Sequence, residues 1–340
     1  MKKIFTIIFV LISVANCFAQ ERFSGDVIVD NQPNYTQRNA HVCTAWNGDI
    51  YVGFTYDTAG APGYKIMKST DGGYSFQFFG HYQWFPGNTL TCFDMTCIGH
   101  NNTDFRLLVP NAVRTANSNC YFYLDVFDTT GPYPFTSMCE NQFYTDPIGY
   151  HAVAIDNDNF HHSTLEGNYG CGIILAKNGV QDSLLFISAN DSFYENAPFN
   201  VTNEYATPKK IRNVDISYGR CNSQGAGKYW YTWDEFINNT TQLGDVIASW
   251  EVVDAPFIHN TARNISNLGA STAGKSRQPR IACQNMSGDN SNGSFDAVIL
   301  LNSTLSATTH EEVLFYNHRG DSLQNTFSSL PLGIIGHNNL

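Results

Sequence analysis

His41-Val-Cys-Thr-Ala-Trp46, Asn47-Gly48-Asp49 and Ile50-Tyr-Val-Gly-Phe-Thr-Tyr56 read as a strand, a turn and a returning strand. Apolar, β-branched and aromatic residues suit a pleated surface, and the Asn-Gly pair suits the positive φ of a tight hairpin. Tyr64-Lys-Ile-Met-Lys-Ser69 and Ser75-Phe-Gln-Phe-Phe79 repeat the pattern around Asp71-Gly72-Gly73. Four short strands in meander make one small twisted sheet, and such a sheet needs partners on its faces.

The same grammar recurs along the chain. Leu90 to Cys97, Phe105 to Val109 and Cys120 to Phe127 form a second unit, and Tyr150 to Ile155, Cys171 to Ala176 and Ser183 to Ser188 a third. Val214 to Tyr218, Lys228 to Trp233 and Val246 to Trp250 form a fourth; Arg280 to Cys283, Phe295 to Leu301 and Glu312 to Tyr316 form a fifth. First strands begin near 41, 91, 150, 213 and 279, steps of about 50 to 66 residues. A period of that size built from β-strands is the signature of a propeller. The expectation is an all-β propeller of 5–7 four-stranded blades. Leu332 to Leu340 either opens another blade or completes one shared with Asp26-Val-Ile-Val29.

Composition agrees. Of 340 residues 42% are apolar, 14% aromatic and only 14% charged, which excludes disordered and collagen-like chains, and no stretch has the periodicity of a long helix. Lys2 and Lys3, the apolar run Ile4 to Ala15 and Cys17-Phe18-Ala19 before Gln20 read as a secretory signal peptide, too short to span a bilayer. The expected organisation is therefore a leader over 1–19 and a single propeller domain over 20–340. Without the leader, 17 Lys and Arg face 30 Asp and Glu, a balance that argues against nucleic acid or an anionic membrane as partner. The expected protein is a secreted or cell-surface monomer with no membrane span. Its eight remaining cysteines, irregularly spaced, suit an exported chain with some disulfides; Cys43, Cys171 and Cys283 sit in apolar runs as small hydrophobes, and 105 pairings stay open.

Ser69-Thr70-Asp71-Gly72-Gly73-Tyr74-Ser75-Phe76 matches the Ser-x-Asp-x-Gly-x-Thr-Trp pattern of the Asp box, with Ser75 and Phe76 as conservative variants. At that point the chain resembles the sialidase-like, BNR/Asp-box family of secreted β-propellers. The resemblance implies a structural turn: Asp71 accepts bonds from turn amides, Gly73 takes positive φ, and Phe76 packs between blades, with Ser69 opening the motif. Ser188-Ala-Asn190-Asp191-Ser192-Phe193 looks like a degenerate second copy. The leader and the Asn/Thr-rich body resemble those of Bacteroidetes secreted proteins. Many of those end in a sorting domain, which is not found before Leu340, so the chain is either truncated or exported by another route.

Several motifs have bland explanations. Gly269-Ala-Ser-Thr-Ala-Gly274-Lys275-Ser276 satisfies the phosphate-loop expression but lacks the preceding strand and following helix, and Arg277-Gln-Pro279 opens a strand instead. Asp156-Asn-Asp-Asn159 reads as a hairpin turn, with calcium in a loop the one cation left open. His161-His162 point to opposite faces of a strand, and Leu314 stands where a zinc helix starting at His310 needs its second His. No catalytic metal and no other cofactor is expected.

A propeller brings the starts of first strands and the ends of second strands toward its axis. That filter selects Arg38, Arg212 and Arg280 at strand starts, and Tyr56, Asp57, Trp233, Asp234 and Glu235 at strand ends. Trp233 and Tyr56 are the candidates for stacking on a ligand. Arg38, Arg212, Arg280, Asp57, Asp234 and Glu235 are the candidates for chemistry, because a glycosidase needs paired carboxylates and arginines suit an anionic sugar. The Arg-Ile-Pro motif of family sialidases is absent; Arg38 is followed by Asn39-Ala40. The reading is a non-catalytic propeller that recognises a glycan or an extracellular protein. The alternatives are a sialidase-type exo-glycosidase and a structural module of a larger surface assembly.

Overall fold

A computed structural model describes residues 27–32, 36–58, 60–99, 101–102, 105–117, 119–128, 135–137, 149–157, 170–179, 181–189, 199–201, 210–219, 228–236, 244–252, 255–259, 263–264, 275–283, 296–304, 312–319 and 328–330. The expected leader, most of the second Asp-box-like segment and Leu332 to Leu340 lie outside these residues.

The first sheet runs β1 (Thr36–Thr44), β2 (Ile50–Thr58), β3 (Ala61–Ser69) and β4 (Gln77–Gln83) in chain order, all antiparallel. In the second, β5 (Thr89–Phe93) and β6 (Thr96–Ile98) share one edge of β7 (Arg106–Arg114), followed by β8 (Cys120–Phe127) and β9 (Phe135–Ser137). The third is β10 (Tyr150–Asn157), β11 (Cys171–Lys177), β12 (Ser183–Ala189) and β13 (Phe199–Asn200). The fourth is β14 (Lys210–Gly219), β15 (Lys228–Phe236) and β16 (Gly244–Val252), with β17 (Ala255–His259) and β18 (Arg263–Asn264) sharing its outer edge. The fifth is β19 (Lys275–Cys283), β20 (Asp296–Thr304), β21 (Glu312–Arg319) and β22 (Ser328–Leu330), joined to the fourth by one parallel bridge between Gly244 and Lys275. The chain is an all-β propeller, and the described residues build five blades. Residues 27–32 carry no strand, and Lys275, the lysine of the phosphate-loop-like stretch, opens a strand rather than a helix.

Side chains that alternate along each middle strand bury both faces of a blade. On β11, Cys171, Ile173 and Leu175 join a cluster with Leu108, Phe122 and Leu124 of the second blade, while Ile174 and Ala176 join one with Val214, Tyr231 and Trp233 of the fourth. A third cluster packs Tyr51, Tyr64 and Ile66 of the first blade on Phe93, Leu107 and Phe127 of the second. Close approach needs a missing side chain at Gly172, where a Cβ would stand 2.7 Å from the Tyr229 ring.

The innermost strand of a blade pairs on one side only, so amides on its axial side need other acceptors. Aspartates supply them. Asp94 Oδ2 accepts from Ile155 N, Asp156 Oδ2 from Tyr218 N and Asp215 Oδ2 from Ile281 N, each across a blade junction. The other oxygen of each carboxylate accepts the amide of its own following residue. At the turn after β3, Asp71 Oδ1 accepts from Tyr74 N and Ser75 N, Ser69 Oγ accepts from Gly73 N, and Gly73 has φ 95°. The Ser75 hydroxyl bond, then the amide bonds, hold the Asp71 carboxyl well below the usual range. Phe76 is half-buried.

One carboxylate sits between blades away from the axis. Asp125, 2% exposed, accepts from the Tyr64 hydroxyl at 2.5 Å and from Asn111 Nδ2 at 2.8 Å. Burial outweighs both bonds and pushes its carboxyl up to about 7 from 3.8. The folded state therefore holds this proton more tightly than the unfolded state, and the stabilisation it gives is complete below about pH 4 and lost as pH rises through 7. The Asp125→Asn variant, whose amide oxygen can accept both bonds, is expected to lose that slope. Relative to wild type it gains roughly 2 to 4 kcal/mol between pH 4 and pH 8 in urea melts across that range.

Candidate functional site

Every innermost strand slips register against its neighbour near its start. The shifts fall between Arg38 and His41, Leu90 and Cys92, Tyr150 and Ala152, Ile211 and Val214, and Arg277 and Arg280. A bulge of this kind leaves residues out of the ladder and turns their side chains toward a new direction. Asn39, Thr91, His151, Arg212 and Asn213, the residues set free in four of the blades, all line one cavity of about 900 Å³ on the axis, and Arg280 joins them from the fifth. In the first blade Asn39 takes φ 50°, a left-handed conformation that asparagine tolerates. In the fourth, Asp234 faces the bulge and accepts from both the amide and the side chain of Asn213, at 2.6 and 2.9 Å.

Beneath the bulges lie Asp94, Asp156 and Asp215, which also line the cavity. Burial pushes the Asp156 carboxyl up to about 7 against its two amide bonds. It pushes Asp215 up to about 6, with the Ile281 amide and then the Arg280 charge pulling the other way. His41 Nδ1 stands 2.6 Å from Asp94 Oδ1. His151 Nε2 meets the Ile211 carbonyl across the third junction. The cavity thus combines two exposed guanidiniums, two imidazoles and three carboxylates held by backbone amides.

Of the residues selected from sequence, the structure brings Arg212 and Arg280 together on this cavity. Arg38 is exposed outside the cavity lining, its carbonyl accepting from Thr55 Oγ1. The strand-end candidates are corrected. Trp233 is 0% exposed in the cluster between the third and fourth blades, and its indole N–H donates to Glu235 Oε1 at 2.9 Å, so no ring face is open to a sugar. Glu235 at 1% and Asp234 at 0% are buried with it. Tyr56 is buried over Gly63 of the paired strand, and Asp57 is exposed opposite Thr36 and Pro62, outside the cavity lining. The expected turn at Asp156-Asn157 is also corrected: both residues end β10, where Asp156 clamps the next blade, and the rest of that loop lies outside the described residues. Among the described residues no group of three or more His, Cys, Asp or Glu could hold a metal ion.

Sequence reasoning missed Asn39, Thr91, His151 and Asn213. The one available signal was a polar residue interrupting the apolar alternation just before each first strand.

No protein-family model matches the chain, and no curated protein matches it. Among solved structures, an α-L-arabinanase from Penicillium chrysogenum, complexed with arabinobiose, superposes with TM-score 0.50 at 11% identity, covering 85% of this chain and 84% of that one. An endo-arabinase from Bacteroides thetaiotaomicron gives 0.43 at 11% identity over 82% and 92%. An ulvan lyase of a polysaccharide lyase family gives 0.42 at 13% identity over 84% and 66%. At 11% identity the likeness to the arabinanase shows the fold alone.

Trp233→Ala is expected to empty a packed site and lower the unfolding free energy by about 3 to 5 kcal/mol. Asp234→Ala leaves the Asn213 donors short of their acceptor and costs about 1 to 3 kcal/mol. Both shifts are read from urea midpoints at unchanged m, and the Asp234 variant also weakens any ligand that touches the fourth-blade bulge.

Proposed function

We propose that the protein is a secreted, non-catalytic recognition propeller that holds part of a glycan in its axial cavity, with Arg212 and Arg280 meeting an anionic or hydroxyl-rich face of the sugar. The observation that carries this reading is the ring of bulges, whose polar residues, together with two exposed arginines, line one space of about 900 Å³, a size suited to one or two sugar rings. Guanidiniums lining the cavity suit carboxylate or sulfate oxygens and donate to sugar hydroxyls equally well. Asp94, Asp156 and Asp215 each have both oxygens on backbone amides, which suits struts better than a nucleophile. A propeller of the same fold holds arabinobiose. Kinship with sialidase-like Asp-box propellers, export through the leader and a monomeric state belong to the same reading.

Hydrolysis is the second reading, favoured by the raised carboxyls of Asp156 and Asp215, since a carboxyl protonated near neutral pH can serve as a general acid.

The test is a glycan array followed by calorimetry on wild type, Arg212→Ala and Arg280→Ala, beside turnover of fluorogenic glycosides. Each arginine variant is expected to weaken binding of the selected glycan about 10- to 100-fold with an unchanged melting temperature, and no glycoside is turned over. Equal affinity in all three proteins would remove the cavity from recognition. Turnover that falls as pH rises through 7 would replace binding by hydrolysis.

A further inference from the structure

Three junctions between innermost strands carry a second contact beside the aspartate clamp. Asn157 Nδ2 donates to Thr96 Oγ1 between the second and third blades, and Cys283 N donates to Ser217 Oγ between the fourth and fifth. Between the first and second blades the corresponding contact is two sulfurs: Cys43 Sγ and Cys97 Sγ lie 2.7 Å apart, 54 positions apart in sequence. This junction is also the one where β1 offers no aspartate of its own to the next strand and its clamp runs through His41 to Asp94. Both cysteines line the axial cavity; Cys43 is half-buried and Cys97 is 2% exposed.

The separation is too short for two thiols at rest, since even carbon atoms settle at about 3.5 to 4.0 Å. A disulfide needs about 2.05 Å, so well under 1 Å of side-chain movement closes the gap. We propose that Cys43 and Cys97 form a disulfide that ties the first blade to the second in the wall of the cavity, made by exchange with a small-molecule disulfide such as oxidised glutathione. A thiolate of the pair attacks the oxidant and releases one glutathione thiolate; the partner cysteine then attacks the mixed disulfide and releases the second. Two protein thiols lose two protons and two electrons, and one oxidised glutathione becomes two reduced ones. Cys43 is the more exposed residue of the two and takes the first attack; burial, and then Cys97, push its thiol up, so the exchange is slow at neutral pH.

A crosslink over 54 positions restricts the unfolded chain strongly, and for a chain of this length it is expected to raise the melting temperature by about 5 °C. The full chain is equilibrated with oxidised glutathione, unfolded in acid, alkylated, digested without reduction and mapped by mass spectrometry. The expected product is one peptide pair carrying Cys43 and Cys97, lighter than the two thiol peptides by two hydrogens. Alkylated Cys43 and Cys97, or Cys43 joined to another cysteine, overturns the proposal. Reductant is expected to lower the wild-type melting temperature by about 5 °C and to leave Cys43→Ser unmoved; an equal fall in both proteins also overturns it.

Discussion

An innermost propeller strand is an edge strand facing its own kind, and that constraint governs the rest of the molecule. Sheet pairing satisfies one side of it only, and the axial amides would otherwise be left short of acceptors in a partly buried channel. Asp94, Asp156 and Asp215 resolve this by accepting one amide from their own strand and one from the next blade, at separations of 61, 62 and 66 residues. A hydrogen bond contributes about 0.5 to 1.5 kcal/mol, rising to about 1.5 to 3 kcal/mol where the acceptor is ionised, and each of these also ties one blade to the next. The apolar clusters supply the bulk of the burial between blades, and the clamps add directional bonds at fixed positions along the innermost strands.

The clamps and the cavity are two results of the same geometry. An innermost strand must lie close to four others, and the bulge near its start bends it and increases its twist. The residues left out of the ladder line the axial cavity, and two of them tie their side chains back into their own blade, Thr91 to the Ala112 carbonyl and Asn213 to Asp234. Arg212 of the fourth blade and Arg280 of the fifth line this same cavity although 68 positions separate them in the chain. Asp234, buried opposite the fourth-blade bulge, holds Asn213 by two bonds and so helps set the shape of the site.

Strand positions were legible because alternation and turn chemistry are local. The hairpin at Asn47-Gly48, the aliphatic run Cys171 to Ala176 and the turn at Asp71 all follow from residues adjacent in sequence. Sites on the axis were legible only where they sat at the start of a first strand, as Arg212 and Arg280 do. Trp233 was misplaced because rim exposure depends on strand parity: Tyr229, Tyr231 and Trp233 share the face turned to the third blade, and no local signal tells that face from a solvated end. The bulges were harder to read for a related reason, since a slip of register is a relation between two strands, and a polar residue interrupting the alternation marks it only loosely in one of them.

Charge makes the same point about function. The chain is acidic as a whole, with a formal charge of −11, yet its axial cavity gathers two arginines and two histidines beside three carboxylates that backbone amides already hold. With three carboxylates against two guanidiniums, the cavity accepts an anion more readily as its carboxyls take up protons, and a low-dielectric wall strengthens the effect of each charge. The raised carboxyls of Asp156 and Asp215 are the groups that do so, because each proton they keep removes one negative charge from the cavity. An anion entering the cavity would in turn favour those protons, so its binding is expected to strengthen as pH falls from 8 to 6. A neutral glycan of the same size carries no such coupling, and the slope of affinity against pH therefore distinguishes an acidic sugar from a neutral one.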